Sequence, residues 1–183
     1  MTNPPIRGAQ LAHLGIAVID IELLTHFYQS VFGLRVTDRG RGRTFQRDLV
    51  FMSNSPYQHH QLVLASGRAP DQPSTIFQIS FKVTAIDDLR DIRTRAIEHG
   101  ATALVAMNHG NALSIYFNDP EDNVVEAYLD TPFQISQPHG DPLDLDQPDA
   151  TIWEQTEAVC RADDTFAMAA DWAAKFGDRP STL

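Results

Sequence analysis

The sequence predicts an α+β fold in which two βαβββ modules pair into one curved mixed sheet around a central site, followed by a C-terminal helical extension. The order of strand, helix and three further strands occurs twice, over about residues 10–66 and 76–130. The segment from His13 to Val18 aligns with the segment from Gln78 to Val83. Because each sheet buries one face, we expect the two modules to pack together.

The first module is predicted from residue 10 onward. An apolar strand covers residues 10–18, with His13 as its polar exception. Asp20 is a suitable cap for a helix over residues 21–32, whose apolar residues recur at helical spacing, and Gly33 ends that helix. Strands are then predicted at residues 34–38, 44–53 and 59–65, with a Gly- and Arg-rich turn at residues 39–43.

The second module follows a linker over residues 67–74 and repeats the same order. Its predicted strands cover residues 76–83, 101–107, 112–118 and 124–129, and its helix covers residues 85–99. Residues 1–130 are therefore predicted to form the paired domain. Residues 131–183 form an acidic, proline-rich strap and two short helices, near residues 150–161 and 164–176. This extension is expected to dock either on its own module or on a partner subunit.

Composition limits the function. A net charge of −10 over 183 residues argues against nucleic acid and anionic membrane surfaces as partners. No apolar run approaches the length of a membrane span, and the N-terminus lacks the plan of a signal peptide, so a cytoplasmic protein is predicted. The single cysteine, Cys160, excludes an internal disulfide and a cysteine-based metal site.

Glu126 is the most informative single residue. It lies within an apolar strand, where an unpaired charge costs several kcal/mol, so it needs a partner such as a metal ion. His13, His60, Gln78 and Glu126 occupy repeat-related positions and can all offer nitrogen or oxygen to a metal. This donor set, which contains no thiolate, suits Fe(II), Mn(II), Ni(II) or Zn(II).

Four motifs extend this pattern. They are His13-x-Gly-Ile-Ala-Val, His59-His60-x-Leu-Val-Leu, Gln78-x-x-Phe-x-Val, and the segment from His109-Gly110 through Tyr116 and Asp119-Pro120 to Glu126. With these motifs the chain resembles the vicinal oxygen chelate superfamily of glyoxalases, bleomycin-resistance proteins and extradiol dioxygenases, over about residues 10–129. It is most similar to the type I extradiol ring-cleaving dioxygenases.

That resemblance implies roles for individual residues. His13, Gln78 and Glu126 occupy the positions of the family's metal ligands, with Fe(II) the expected metal. His60 corresponds to the histidine that transfers protons, while His109 and Tyr116 correspond to residues that bind substrate oxygens. Gln78 replaces the family's second iron-binding histidine. Either Gln78 itself binds the metal, or His60 joins His13 and Glu126 as the second imidazole ligand.

Three functions follow from these alternatives. The resemblance implies first a dioxygenase that cleaves a catechol-like diol with O2. The second is a non-redox isomerase, epimerase or lyase, and the third is a metal-free protein that binds a small molecule. The resemblance is also compatible with a homodimer, because single-pair proteins of this superfamily often dimerise. Of the adjacent pair, His60 rather than His59 is predicted to face the site, because it shares strand parity with Leu62 and Leu64.

Overall fold

The computed structural model describes residues 9–175 and has the predicted α+β fold, with curved mixed sheets and a C-terminal helix. The chain divides into two compact units between Gln72 and Pro73. Each unit has its own principal sheet. Residues 131–175 belong to the second unit, and the predicted division at residue 130 stays a prediction. Within residues 9–175, no helix is long and apolar enough to cross a membrane.

The first unit consists of one helix against a four-stranded sheet. Its elements are β1 (Leu14–Val18), α1 (Ile21–Phe32), β2 (Arg35–Arg41), β3 (Asp48–Ser53) and β4 (Leu62–Ser66). The strand order is β1-β4-β3-β2, and β1 runs parallel to β4. The order β-α-β-β-β is the predicted one.

Local signals set both ends of α1. The Asp20 carboxylate accepts hydrogen bonds from the backbone N–H groups of Glu22 and Leu23, both at 3.0 Å. Gly33 adopts the left-handed conformation, with φ of 67°, and closes the helix. The apolar face of the helix, which includes Phe27 and Tyr28, is buried against the sheet. The predicted helix bounds are therefore confirmed.

The arginine-rich segment is a strand rather than the predicted turn. Arg39, Gly40 and Arg41 all lie in β2, which pairs with β3, and the turn follows over residues 42–47. Arg39 forms an ion pair with Glu22 at 2.5 Å. Arg41 pairs with Asp48 on β3 at 3.1 Å. The strand forms because the backbone of residues 39–41 pairs with residues 48–50 of β3, and the exposed ion pairs add little.

The second unit repeats this order and adds the C-terminal extension. Its elements are β5 (Ile79–Lys82), α2 (Ile86–Glu98), β6 (Thr102–Asn108), β7 (Ala112–Asn118), β8 (Val124–Asp130), β9 (Phe133–Gln134), β10 (Asp141–Pro142), α3 (Asp149–Ala162), β11 (Ala167–Met168) and α4 (Ala169–Ala174). The main sheet has the order β10-β6-β7-β8-β5, with β5 parallel to β8. Strands β9 and β11 form a separate pair.

The extension docks on its own unit. Strand β10 pairs with β6, and the Arg90 guanidinium of α2 donates to the carbonyl oxygens of Leu145 and Gln147, each at 2.8 Å. A small apolar cluster joins the strap to α3 and the following loop; it contains Phe133, Ile135, Cys160 and Phe166. The second predicted helix, over residues 164–176, is shorter than expected. Its last residue, Phe176, lies outside the described residues.

Candidate active site

A hydrogen-bond network surrounds Glu126, which is only 6% exposed. One carboxylate oxygen, Oε2, accepts from the Gln78 amide nitrogen at 2.5 Å and from the Ser80 hydroxyl at 2.7 Å. The other, Oε1, accepts from the Tyr116 hydroxyl at 2.6 Å. The carboxylate predicted to need a partner therefore has three polar ones within its own unit.

The network continues from Tyr116 to His109. The Tyr116 hydroxyl oxygen lies 3.0 Å from Nε2 of His109, and Nδ1 of His109 lies 2.6 Å from the carbonyl oxygen of His139. Tyr116 has one hydroxyl hydrogen and two neighbours that can accept it. It can therefore donate to Glu126 or to His109, but not to both at once. The Tyr116 hydroxyl hydrogen can therefore switch between the Glu126 carboxylate and the His109 ring nitrogen.

Burial and the neighbouring Glu126 carboxylate raise the pKa of Tyr116 well above its usual value. The phenol therefore stays protonated at neutral pH. A protonated hydroxyl is a hydrogen-bond donor to an anionic oxygen, whether that oxygen belongs to Glu126 or to a bound substrate.

Strand register positions these side chains. Ser80 pairs with Glu126 across the parallel strands β5 and β8, and Tyr116 pairs with Glu126 across the antiparallel strands β7 and β8. All three therefore project from the same face of the sheet. Gln78 immediately precedes β5. His109 follows β6 in the turn to β7, where Gly110 has φ of 74°.

Ser80 is a site residue that the sequence prediction missed. It lies two residues after Gln78, which places both on one face at the start of a strand. The Gln78 amide nitrogen also donates to the Ser80 hydroxyl at 2.7 Å. The alternation of side chains along the predicted strand was the signal that could have identified it.

The network forms part of the wall of a concave pocket of about 510 Å³ in the second unit. Strand residues supply one side, including Ser80, Tyr116 and Glu126, with His109 in the turn that follows β6. The extension supplies another side through Thr131, Gln134, Gln137 and Ala169. The lining is rich in hydroxyl, amide and carboxylate groups, which suits a small polar ligand.

The first unit brings together the two other predicted residues. The ring centroids of His13 and His60 lie 4.4 Å apart, and the Phe51 ring packs edge-on against His60 at 5.2 Å. Burial lowers the pKa of His60, and the nearby His13 and His59 lower it further. His60 is thus held as a neutral imidazole, the form that accepts a proton or binds a metal.

The predicted strand parity of His60 with Leu62 and Leu64 is wrong. His60 lies in the loop before β4 rather than in a strand, so strand parity does not apply to it. Leu62 and Leu64 are buried in the core beside α1. His60 instead packs against Phe51 and His13, and its proposed role in proton transfer stays a prediction.

The strand register also corrects the repeat alignment. In the second unit the second residue of the first strand, Ser80, pairs with Glu126. The corresponding pair in the first unit is Gly15 and Val63. Val63, and not His60, is therefore the structural counterpart of Glu126. His13 and Gln78 do correspond, because each immediately precedes the first strand of its unit.

Among residues 9–175, no three His, Cys, Asp or Glu side chains are clustered so that they could hold a metal ion. The predicted ligand set of His13, Gln78 and Glu126 stays a prediction. Gln78 and Glu126 are in direct contact in the second unit, and His13 lies beside His60 in the first. Cys160 takes no part, because it is buried in the second unit and burial raises the pKa of its thiol.

Comparison with known proteins gives a consistent family. The family model described as Glyoxalase/Bleomycin resistance protein/Dioxygenase superfamily matches residues 10–127. Biphenyl-2,3-diol 1,2-dioxygenase 3 from Rhodococcus globerulus is 24% identical over 127 residues. That match covers 66% of this chain and 63% of the relative, which therefore extends well beyond the matched part.

Solved structures share the fold at low sequence identity. A glyoxylase/bleomycin resistance protein/dioxygenase domain from Frankia sp. EAN1pec is 21% identical, with a TM-score of 0.55 over 69% of this chain and 100% of that one. The fosfomycin resistance protein FosX from Listeria monocytogenes, complexed with Mn(II) and sulfate, is 21% identical. Its TM-score is 0.50, over 69% of this chain and 95% of that one.

Proposed function

The chain belongs to the glyoxalase/bleomycin resistance protein/dioxygenase superfamily, and from this premise we propose that it is a metal-dependent extradiol-type dioxygenase. Its substrate would be a catechol-like aromatic diol. In the reaction, the ring C–C bond beside the two hydroxyl groups breaks, and both atoms of O2 are retained in the ring-opened product. The similarity to a biphenyl-2,3-diol 1,2-dioxygenase supports this reaction class.

The observation that carries the proposal is the line of side chains from Glu126 through Tyr116 to His109. It combines a buried carboxylate, a protonated phenol and an imidazole along one wall of a polar pocket. A diol that enters this pocket meets a hydroxyl donor and an imidazole that can each bind its oxygens. Binding of this kind orients a diol and favours loss of its proton.

The donor chemistry fits a divalent metal. His13 would supply an imidazole and Glu126 a carboxylate, which together with the Gln78 amide oxygen form a nitrogen and oxygen set compatible with Fe(II) or Mn(II). Gln78 now presents its amide nitrogen to Glu126, so it would turn its amide to present the oxygen. Bound Fe(II) would supply the electron transfer between diol and O2 that ring cleavage requires.

The chain's own residues then manage protons. His60 is the proposed acid/base, because its lowered pKa keeps the imidazole able to accept a proton at neutral pH. If the metal engages Glu126, the hydroxyl hydrogen of Tyr116 is free to point to His109 or to a substrate oxygen. Tyr116 and His109 would therefore fix the substrate rather than the carboxylate.

The test is an anaerobic screen. The full chain is loaded with Fe(II), mixed with a panel of catechols and exposed to air, and the yellow ring-opened product is followed by absorbance. For the wild type we expect the ring-opened product to form at the same rate as O2 is taken up. Tyr116→Phe and Glu126→Ala should both form the product more slowly. Absence of both O2 uptake and coloured product across the panel, with Fe(II) bound, would reject the dioxygenase.

Gln78 favours a second candidate, a non-redox isomerase, epimerase or lyase. A neutral amide in place of a second imidazole gives a harder donor set, which suits a metal that acts as a Lewis acid. The proton would then move between substrate carbon and Glu126 or His60. Full activity with Ni(II) or Zn(II), and without O2, would identify this alternative.

A further inference from the structure

The C-terminal extension contacts His109 directly. Nδ1 of His109 lies 2.6 Å from the carbonyl oxygen of His139, thirty residues later in the strap. A carbonyl oxygen can only accept a hydrogen bond, so Nδ1 must carry the hydrogen. When the ring is neutral, Nε2 then holds the lone pair and faces the Tyr116 hydroxyl at 3.0 Å.

Gln137 ties the two partners of this contact together. Its amide nitrogen donates to the backbone carbonyl of His109 at 2.8 Å, and its amide oxygen accepts from the backbone N–H of His139 at 3.0 Å. One side chain therefore fixes the position of the His139 backbone relative to the backbone of His109. The same amide nitrogen lies 3.4 Å from the side-chain oxygen of Asn111.

We propose that Gln137 is a positioning residue that, through the His139 carbonyl, holds His109 as the Nδ1–H tautomer with Nε2 directed at Tyr116. The second nitrogen of a histidine is set by the hydrogen bond that the first one makes. The extension thus supplies both a wall of the pocket and the orientation of the imidazole within it.

Other contacts keep the strap in place independently of Gln137. Asp141 and Pro142 pair with Asn108 and Met107 in the sheet, on the residues just before His109. The Thr131 hydroxyl donates to the carbonyl of Gly110 at 2.6 Å. Because these anchors remain when Gln137 is changed, its loss should alter the local geometry at His109 without releasing the strap.

The tautomer assignment stands on geometry alone. Its catalytic consequence rests on the proposed function: Nε2 is the atom that would accept a hydrogen bond from Tyr116 or a proton from a substrate oxygen. With the opposite tautomer, Nε2 would carry a hydrogen and could only donate. Holding one tautomer therefore decides the direction in which His109 can exchange a proton with its neighbours.

The test reads the tautomer directly. Two-dimensional 1H–15N spectra of the imidazole groups are recorded on the 15N-labelled full chain, at a pH where the ring is neutral. His109→Ala identifies the His109 signals. We expect the pattern of the Nδ1–H tautomer in the wild type. In Gln137→Ala we expect a shift to the averaged pattern of an imidazole that exchanges between tautomers.

Gln134→Ala is the matched control, because it also removes a pocket-lining glutamine of the extension. It should leave the His109 signals unchanged. A wild-type His109 in the Nε2–H form would overturn the proposal, as would a Gln137→Ala chain with the wild-type pattern. Backbone amide spectra report folding of each variant, and the wild-type spectrum tests the tautomer even if Gln137→Ala fails to fold. No substrate is involved, so this result is independent of the catechol screen.

Discussion

The two units share a backbone plan and differ in what they carry at equivalent positions. In the second unit, the pair that joins the first and last strands is Ser80 and Glu126, and it forms a polar network. In the first unit the corresponding pair is Gly15 and Val63, which has no polar side chain. The first unit instead places two imidazoles, His13 and His60, beside each other before its strands.

The comparison shows that the two units share the same strand pairing but carry different polar side chains. A carboxylate, a phenol and an amide belong to one unit, and a pair of imidazoles belongs to the other. Of the proposed metal ligands, His13 belongs to the first unit and Gln78 and Glu126 belong to the second. We therefore expect changes in the second unit to affect metal and substrate binding together, and changes at His60 to affect proton transfer alone.

The largest expected effect on turnover comes from a change at His60 in the first unit. His60→Ala should retain the metal but lower turnover by at least about 100-fold, because a positioned acid/base contributes about 10²–10⁴-fold. Metal content and product formation are measured on the same preparation. His26→Ala, which removes an exposed histidine of α1, is the control and should turn over at the wild-type rate. Unchanged turnover in His60→Ala would reject His60 as the acid/base.

A backbone position in the second unit should give a smaller effect, on stability. Gly110→Ala should lower the free energy of unfolding by about 1–3 kcal/mol, because a side chain is strained at φ of 74°. An added Cβ would also clash with Cδ1 of Ile135. Denaturant unfolding measures the change, with Gly40→Ala in β2 as the control, since nothing lies within 4 Å of its added Cβ. Equal stability of both variants would contradict this account of the turn.

The smallest expected effect concerns the start of α2. The N-cap of α1 is Asp20, whereas α2 has Ala85 there and uses Asp88, whose carboxylate accepts from the backbone N–H groups of Thr84 and Ala85. The Thr84 hydrogen bond is the main cause that lowers the pKa of Asp88. The contribution of the ionised Asp88 carboxylate to the free energy of unfolding is therefore fully present above its unfolded-state pKa of about 4. It is lost as pH falls through the lower pKa of Asp88 in the folded protein.

Asp88→Asn should remove that pH dependence. The free energy of unfolding of the wild type should decline more steeply with acidification below about pH 5 than that of the variant. Urea unfolding over a series of pH values makes the comparison. Parallel curves for the two proteins would show that Asp88 makes no such contribution.

The parts of the fold that local signals specify were predictable from sequence. Helix α1 has its predicted bounds because Asp20 and Gly33 mark them, and β7 covers the predicted residues 112–118 because its alternation is strong. The turn after β2 was misplaced because Gly40 and Gly42 favour a turn locally. Residues 39–41 instead continue β2, because their backbone pairs with residues 48–50 of β3.

The site was predictable only in part, for the same reason. Tyr116 and Glu126 lie on adjacent predicted strands, and the structure does bring their side chains together. The match of His60 to Glu126 failed, because strand register depends on pairing and not on distance along the chain. His109 also contacts His139, which lies in the C-terminal extension. That extension contains none of the sequence motifs, so no local pattern indicated the contact.

Metal content tests the central proposal most directly, namely that His13 and Glu126 are metal ligands. The wild type, His13→Ala and Glu126→Ala are purified without oxygen, loaded with Fe(II), desalted and analysed for metal per chain. We predict about one ion per wild-type chain and loss of bound metal in both variants. Full metal occupancy in both variants would contradict the account.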